Sequence, residues 1–519
     1  MAMIKLPYLQ PLEGQQNTIY QFAGLDRRAR IPDGAAREME NLSADNLPCL
    51  SVRKTRGKVK HLTAPSLLAF KNRKEILVDG EKLLVDGTEK HTMTAGKKIW
   101  AVIGNRVCIW PDKILYNAET DKVETLSEKQ TAQTATFTNS TLTLDTDAVF
   151  GKGDGVTITG CTQHPYNNRT VVIQEIEGRK LTVYDNVFQH GALGSSQPGS
   201  WQETNITLER VVPDLDFVCE KDNRLWGTHD NAICCCKLGD PKNWNVFNGL
   251  STDAWEAQVG SDGAFTGIAA FSSHIVAFKE HICHKVYGTK PTAMQVQVAH
   301  IDGVKPGCHQ SIVNVNENIF YLSHAGVMVY AGGIPDCISP QLTDTYTEAV
   351  AGRLGSRYYL SAKRQDGVHE LLVFDTTKNL WVKEDDTAAI CFANHAGALY
   401  WVTKDALWTH SGNTEKTVPW SLTLGDFERV TAERQIVSRL HVLVELPAGS
   451  RLLCSMRYDK GEWMPAGRIQ NARGGVFRIP FIPRRCERFS VRLSGVGQAL
   501  IKSVELKRYG GSDQVWHST

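Results

Sequence analysis

The chain has 519 residues, with 58 Lys and Arg against 56 Asp and Glu, so it is long enough for about two to four domains and almost neutral. Neutrality removes any general argument for nucleic-acid or anionic-membrane binding and leaves only local patches. Charge and aromatic content exclude a disordered protein, and no apolar run approaches the about 20 residues of a membrane span.

The opening MAMIKLPYLQPLEGQQ has no apolar signal-peptide core, so folding in a cytoplasm is expected. Residues 1–57 then carry turn chemistry rather than periodicity and read as an N-terminal arm that covers an edge or reaches a neighbour. Pro32-Asp33-Gly34 is a turn, and Asn41 to Asp45 with Pro48 a loop whose side chains bond the local backbone. Arg53, Lys54, Arg56, Lys58 and Lys60 follow without an acid among them. They fit either a solvated strand face or a contact with DNA or an acidic neighbour.

From Leu67 a pattern recurs: an apolar run, a polar or Gly-containing break, and a second apolar run. Examples are NRLWGTHDNAICCCKLGD, SHIVAFKEHICHKVYG, NIFYLSHAGVMVYAGG and GALYWVTKDALWTHSGN. Each reads as a β-hairpin, because β-branched and aromatic side chains suit a pleated surface. A period of roughly 40–50 residues is that of a β-propeller blade. The first blades fall in 58–124 and the rest in 211–419, six or seven in all. The Trp of KLGDPKNW is expected beneath a hairpin turn, and one short helix near Asp344–Leu354.

Between them, 125–210 breaks the period. Strands near Val156–Ile158, Thr170–Ile176 and Lys180–Tyr184, with loops at HPYNN and GALGSSQPGS, predict a small β-barrel inserted on a blade loop. Longer strands from 420 to 519, with a turn at Asp459-Lys460-Gly461, predict a C-terminal β-sandwich. The expected fold is therefore all-β: propeller, inserted barrel and sandwich.

Catalytic spacing is missing: there is no GxSxG, HExxH or Walker loop, and no enzyme is expected. Gly151, Gly153 and Gly155 precede strands rather than a helix, and Asp145, Asp147 and Asp154 depart from a calcium loop. Asp262 and Asp302 cannot be paired from sequence. His281, Cys283 and His284, with Cys308 and His309, are the best metal candidates, His281 and Cys283 sharing a strand face; packing is the competing reading, and no metal or cofactor is expected. The thirteen cysteines are odd in number and lack CxxC, so reduced thiols are expected. Adjacent Cys234, Cys235 and Cys236 point alternately and cannot share one ion. Trp226, Trp381, Trp401 and Trp408 sit in apolar runs and read as core rather than sugar platforms. Arg484, Arg485, Arg488 and Arg492 make a basic strand suited to salt bridges or to a subunit or DNA contact.

The stretch IPDGAAREMENLSADNLPCLSVRK, through Asp33, Gly34, Asn41, Ser43, Asp45, Pro48, Ser51 and Arg53, resembles the opening of bacteriophage virion proteins. LWGTHDNAICCCKLGDPKNW, VAFKEHICHKVYG and the inserted GDGVTITGCTQHPYNNRT are similar to segments of the same group, the propeller-containing tail hub or nozzle proteins of short-tailed phages. The resemblance implies a structural virion protein made in the host cytoplasm and assembled as a homo-oligomeric ring, usually sixfold, below the portal and adaptor. Its implied partners are adaptor and portal-side proteins, tail fibres and, transiently, the departing phage DNA. On this reading Asp33, Gly34, Asn41, Ser43, Asp45, Pro48 and Arg53 are candidates for a subunit or adaptor contact. Lys54, Arg56, Lys58, Arg484 and Arg485 are candidates for DNA or subunit contact. The alternative is a propeller that binds a host-surface glycan or protein.

Overall fold

A computed structural model of the chain describes residues 14–190, 199–428, 434–470 and 474–510. The stretch before Gly14 and most of the loop expected at GALGSSQPGS lie outside the described residues. Among the described residues, helix is confined to single turns at Pro165–Asn167, Pro291–Ala293 and His309–Ser311. None is long and apolar enough to cross a membrane. The fold is all-β. The chain divides into two units, one of Leu62–Ile338 with Ile390–His395, the other of Met1–His61, Ser339–Ala389 and Ala396–Thr519.

In the first unit, five four-stranded antiparallel meanders cover residues 65–92, 99–125, 217–258, 265–299 and 313–337. Short turns set them up: Asn72-Arg73, Asp222-Asn223 and Asn316-Glu317 each hold two successive residues at positive φ, the twist that suits a two-residue hairpin. Successive meanders meet through shared cores, not through paired strands. Leu67, Ile76 and Val78 of the first pack with Val107, Ile109 and Tyr116 of the second. Cys108, Trp110 and Leu115 of the second pack with Leu225, Cys234, Cys236 and Trp244 near the third. Trp226, Ile233 and Cys235 of the third pack with Phe265, Ile268 and Ile275 of the fourth. The strand period of two therefore divides the CCC run between two cores. Each fully buried aliphatic side chain contributes about 1.5–3 kcal/mol, so face-to-face burial holds these meanders together. Their first strands lie side by side, Ile99–Ile103 with Phe217–Lys221 and the latter with Phe265–Ala270. Cys391–His395 lies along Pro65–Lys71, with His395 stacked on Phe70 at 4.7 Å. Trp244 donates Nε1–H to the Pro241 carbonyl at 2.8 Å and meets Trp110 edge-on, as expected of a residue under its turn.

Between the second and third meanders six strands close into a barrel: Glu128–Phe137, Thr141–Leu144, Gly155–Thr159, Thr170–Glu177, Lys180–Val183 and Trp201–Arg210. Its first and last strands pair from Glu128↔Arg210 to Phe137↔Trp201, so the chain enters and leaves at one place. Phe137, Phe188 and Trp201 fill its core.

The second unit holds another meander over 346–383, a hairpin of Ala398–Thr403 and Ala406–Thr409 whose edge is taken by Gly57–His61, and two seven-stranded sheets. The helix expected near Asp344–Leu354 is instead strand Tyr346–Leu354, paired along its length with Arg357–Arg364. Tertiary pairing overrides a weak local helical pattern there. Residues 14–57 do not form a separate arm. Gly14–Ile19, Leu42–Ser43 and Leu50–Val52 join one large sheet, which also contains Gln435–Glu445 and Leu500–Gly510; Gly24–Leu25 and Ala35–Glu40 join the other, beside Pro419–Leu424. Gln435–Glu445 alternates buried and half-buried positions, the mark of a sheet with one face in a core.

Candidate functional site

Of the residues singled out between Asp33 and Lys58, Asn41, Arg53 and Arg56 join one ion-pair network inside the second unit. The local backbone requires particular residues: Gly34 has φ +87°, and a Cβ there would stand 2.1 Å from the Gln21 carbonyl oxygen. Asn41 takes φ 55°, a conformation its short amide tolerates, donates Nδ2–H to the Pro419 carbonyl at 2.8 Å and accepts from Arg53 Nε at 2.6 Å. Ser43 Oγ accepts from the Asp45 N–H at 3.2 Å, and Pro48 offers its carbonyl to the Phe22 N–H. Asp45 pairs with Arg357, which also reaches Asp375 at 3.1 Å. Exposed Asp33 accepts from Asn17.

The basic run is not one surface. Arg53 and Arg56 are buried, whereas Lys54 and Lys58 are exposed. Arg53 forks onto Glu415 at 2.7 and 3.0 Å. Arg56 spans Glu384 at 2.6 Å and Asp385 at 2.5 Å and lies over the Trp401 ring. The Arg53 and Arg56 charges are thus paired inside the fold instead of being displayed on its surface. Lys58 lies over Trp408 and 3.8 Å from Asp405. A parallel cluster, with no local signal in the sequence, joins Arg27 to Glu370 at 2.7 Å and to Asp344, with Lys383 and Arg364 near Glu370.

Burial works against the Arg56 charge, and Glu384 and Asp385 more than offset it, holding the guanidinium above its ordinary range. Burial likewise pushes up the carboxyls of Glu370, Asp385, Glu415 and Asp375. Arg27, Arg56, Arg53 and, at Asp375, the Thr377 hydroxyl with Arg357 overcome it, so all four sit below the ordinary range. Carboxylates depressed by folding contribute stability that is complete above their unfolded pKa, about 4, and lost as pH falls through the folded values. Unfolding midpoints measured against pH should therefore be flat from neutrality to about pH 5 and fall steeply below about 4.

The metal candidates do not assemble. No group of three or more His, Cys, Asp or Glu able to hold an ion occurs among the described residues. The strand begins at Cys283, so His281 lies in the preceding turn rather than on a shared face, and pairs with Asp302 at 3.2 Å. Cys283 is buried, its thiol pushed up to about 12 by desolvation. His284 is buried against Ser261 Oγ at 3.0 Å, and burial lowers His309 to about 4. No cysteine forms a disulfide. Asp154 is committed to Arg210 at 2.5 Å. Trp226, Trp381 and Trp401 are buried, leaving Trp408 half-exposed.

Arg484 is exposed and lies over Tyr458; Arg485 is exposed at the start of a short strand paired with Gln435–Glu445. Arg492 stacks on Trp463 at 4.3 Å, with Arg457 also over that ring at 4.7 Å, and reaches Glu38 at 3.1 Å. Arg492 thus follows the salt-bridge reading.

No protein-family model matches the sequence, and no curated protein matches it. Among solved structures, Raptor of Chaetomium thermophilum aligns over 70% of this chain at 11% identity and TM-score 0.31, this chain covering 29% of Raptor's length. PorZ, a component of the type-IX secretion system of Porphyromonas gingivalis, aligns over 85% of this chain and 82% of its own at 9% identity and TM-score 0.27. The endosialidase of phage phi92 aligns over 72% and 56% at 10% identity and TM-score 0.20. Scores this low carry no argument about fold or function.

Proposed function

We propose that the four-stranded sheets are blades of a β-propeller, with Gly57–His61 as an outer strand on the hairpin of Ala398–Thr409, the barrel as an insertion and the two large sheets as a sandwich. On this reading the chain is a structural virion protein of a phage tail, a nozzle or hub ring below the adaptor through which the genome passes. The observation that carries it is the module order: meanders with shared cores, interrupted by a barrel whose ends return to one place, and an N-terminal strand on the hairpin of Ala398–Thr409. That order follows the order of the phrases resembling tail proteins. A propeller closed by a strand from the other end of the sequence protects its edges, which suits a durable particle part. Within the resembling opening, the network around Arg53 supports a folding role for Asn41 and Arg53.

Antibody-labelled electron microscopy of phage particles from the producing host tests this. Label below the neck is expected. Label at the fibres or tip would move the reading to host-surface recognition, and unlabelled particles would sink the virion assignment.

A further inference from the structure

The chain is neutral overall, but its charge is not evenly spread. Between residues 434 and 510 fifteen Lys and Arg stand against five Asp and Glu. The strand register shows where part of that excess goes. In the large sheet containing Gln435–Glu445 and Leu500–Gly510, Arg439 lies directly opposite Lys507 at positions facing away from the core. Their neighbours Leu440 and Leu506 point the other way and are buried. Outward Arg478 adjoins His441 on one flank, and Arg485 adjoins Ile436 at the end of the same strand. Beyond Lys507 the neighbouring strand offers only neutral Gln16.

Like charges directly opposite on a sheet destabilise it. Here the centre of the face is such a pair. The nearest outward carboxylate, Glu505, is 3.5 Å from His441. Among the described residues Arg439, Arg478 and Arg485 have no carboxylate partner. A chain that keeps four cations on one exposed face without neutralising them retains a cost that a polyanion would remove.

We infer that this sheet face binds the phosphate backbone of nucleic acid, without reading sequence. Cations on four strands that fill three neighbouring positions, about 4.8 Å apart, form a dense array, and a duplex presents one charge per about 1.7 Å. An acidic protein partner would call for a desolvated apolar centre, and the centre here is the Arg439–Lys507 pair itself. Tyr509, whose ring lies 5.4 Å from Lys507 Nζ, adds an aromatic edge. The inference goes beyond the tail placement and can fail separately from it, because it is read on the chain alone.

Fluorescence anisotropy of the full chain with a short labelled duplex of arbitrary sequence, across graded KCl, is the test. Binding is expected with a log–log salt slope of about −3 to −4, one step per cation. The double substitution Arg439→Gln with Lys507→Gln should flatten that slope by about 2 and weaken low-salt binding about tenfold. Its melting temperature should be unchanged or raised, since the like-charge opposition is relieved. A second pair, Arg478→Gln with Arg485→Gln, should flatten the slope similarly. No binding at low salt, or variants that bind like the parent, would overturn the inference. So would poly-glutamate competing as well as unlabelled duplex, which would point to an acidic protein instead.

Discussion

Replacing Arg56 by Ala should destabilise the protein by about 3–5 kcal/mol, the range for removing one partner of a buried ion pair. The Arg56 side chain is 5% exposed and bridges Glu384 and Asp385, themselves 14% and 21% exposed, while its plane covers Trp401. Its loss takes the cation from Glu384, leaves Asp385 only Arg53 at 3.6 Å, and uncovers an indole that is otherwise buried. Arg56→Met should recover some packing and none of the charge, so it should fall between Ala and the parent. Lys58→Ala, two residues on and exposed, should stay within about 0.5 kcal/mol. Urea unfolding followed by far-ultraviolet circular dichroism reads all three. An Arg56→Ala loss no larger than that of Lys58→Ala would mean that the pair is effectively solvated.

The contrast between Arg56 and Lys58 also marks where the sequence stopped being legible. Both belong to one acid-free basic run, and nothing local separates them. Glu415, the partner of Arg53, lies 362 positions away, and Glu384, the partner of Arg56, 328. Such pairings are fixed by topology, which single-sequence periodicity does not encode. What was legible depended on alternation. The strands expected at Val156–Ile158, Thr170–Ile176 and Lys180–Tyr184 fall within or over Gly155–Thr159, Thr170–Glu177 and Lys180–Val183. The CCC run divides between two cores because neighbouring side chains point oppositely. The N-terminal stretch looked like an arm because its strands are two to six residues long and are separated by turns. Strands that short carry too few alternations to register, and they gain their structure from partners in the last hundred residues.

The second large effect is expected at Asp154. Its spacing with Asp145 and Asp147 departs from a calcium loop, and the three residues have different environments. Asp154 is buried and gathers the base of the barrel: its carboxylate accepts from Gly151 N–H at 2.9 Å, Asn243 Nδ2 at 3.0 Å and Arg210 Nη1 at 2.5 Å. Asn243 in turn accepts the Gly155 N–H, and Arg210 donates to the Leu126 carbonyl, so one carboxylate joins the loop before the third strand, the last strand and the neighbouring loop. Asp154→Ala leaves the buried Arg210 unpaired and should cost about 3–5 kcal/mol. Asp147→Ala, whose parent side chain is 84% exposed, should change stability by less than about 0.5 kcal/mol. Calorimetry should then show the barrel melting before the rest in Asp154→Ala, since Phe137, Phe188 and Trp201 form a core of their own. Calcium should leave the parent's melting unchanged, because Arg210 already occupies the carboxylate it would need. A calcium-dependent rise that Asp154→Ala abolishes would mean that the ion displaces Arg210 and that the pair is not structural.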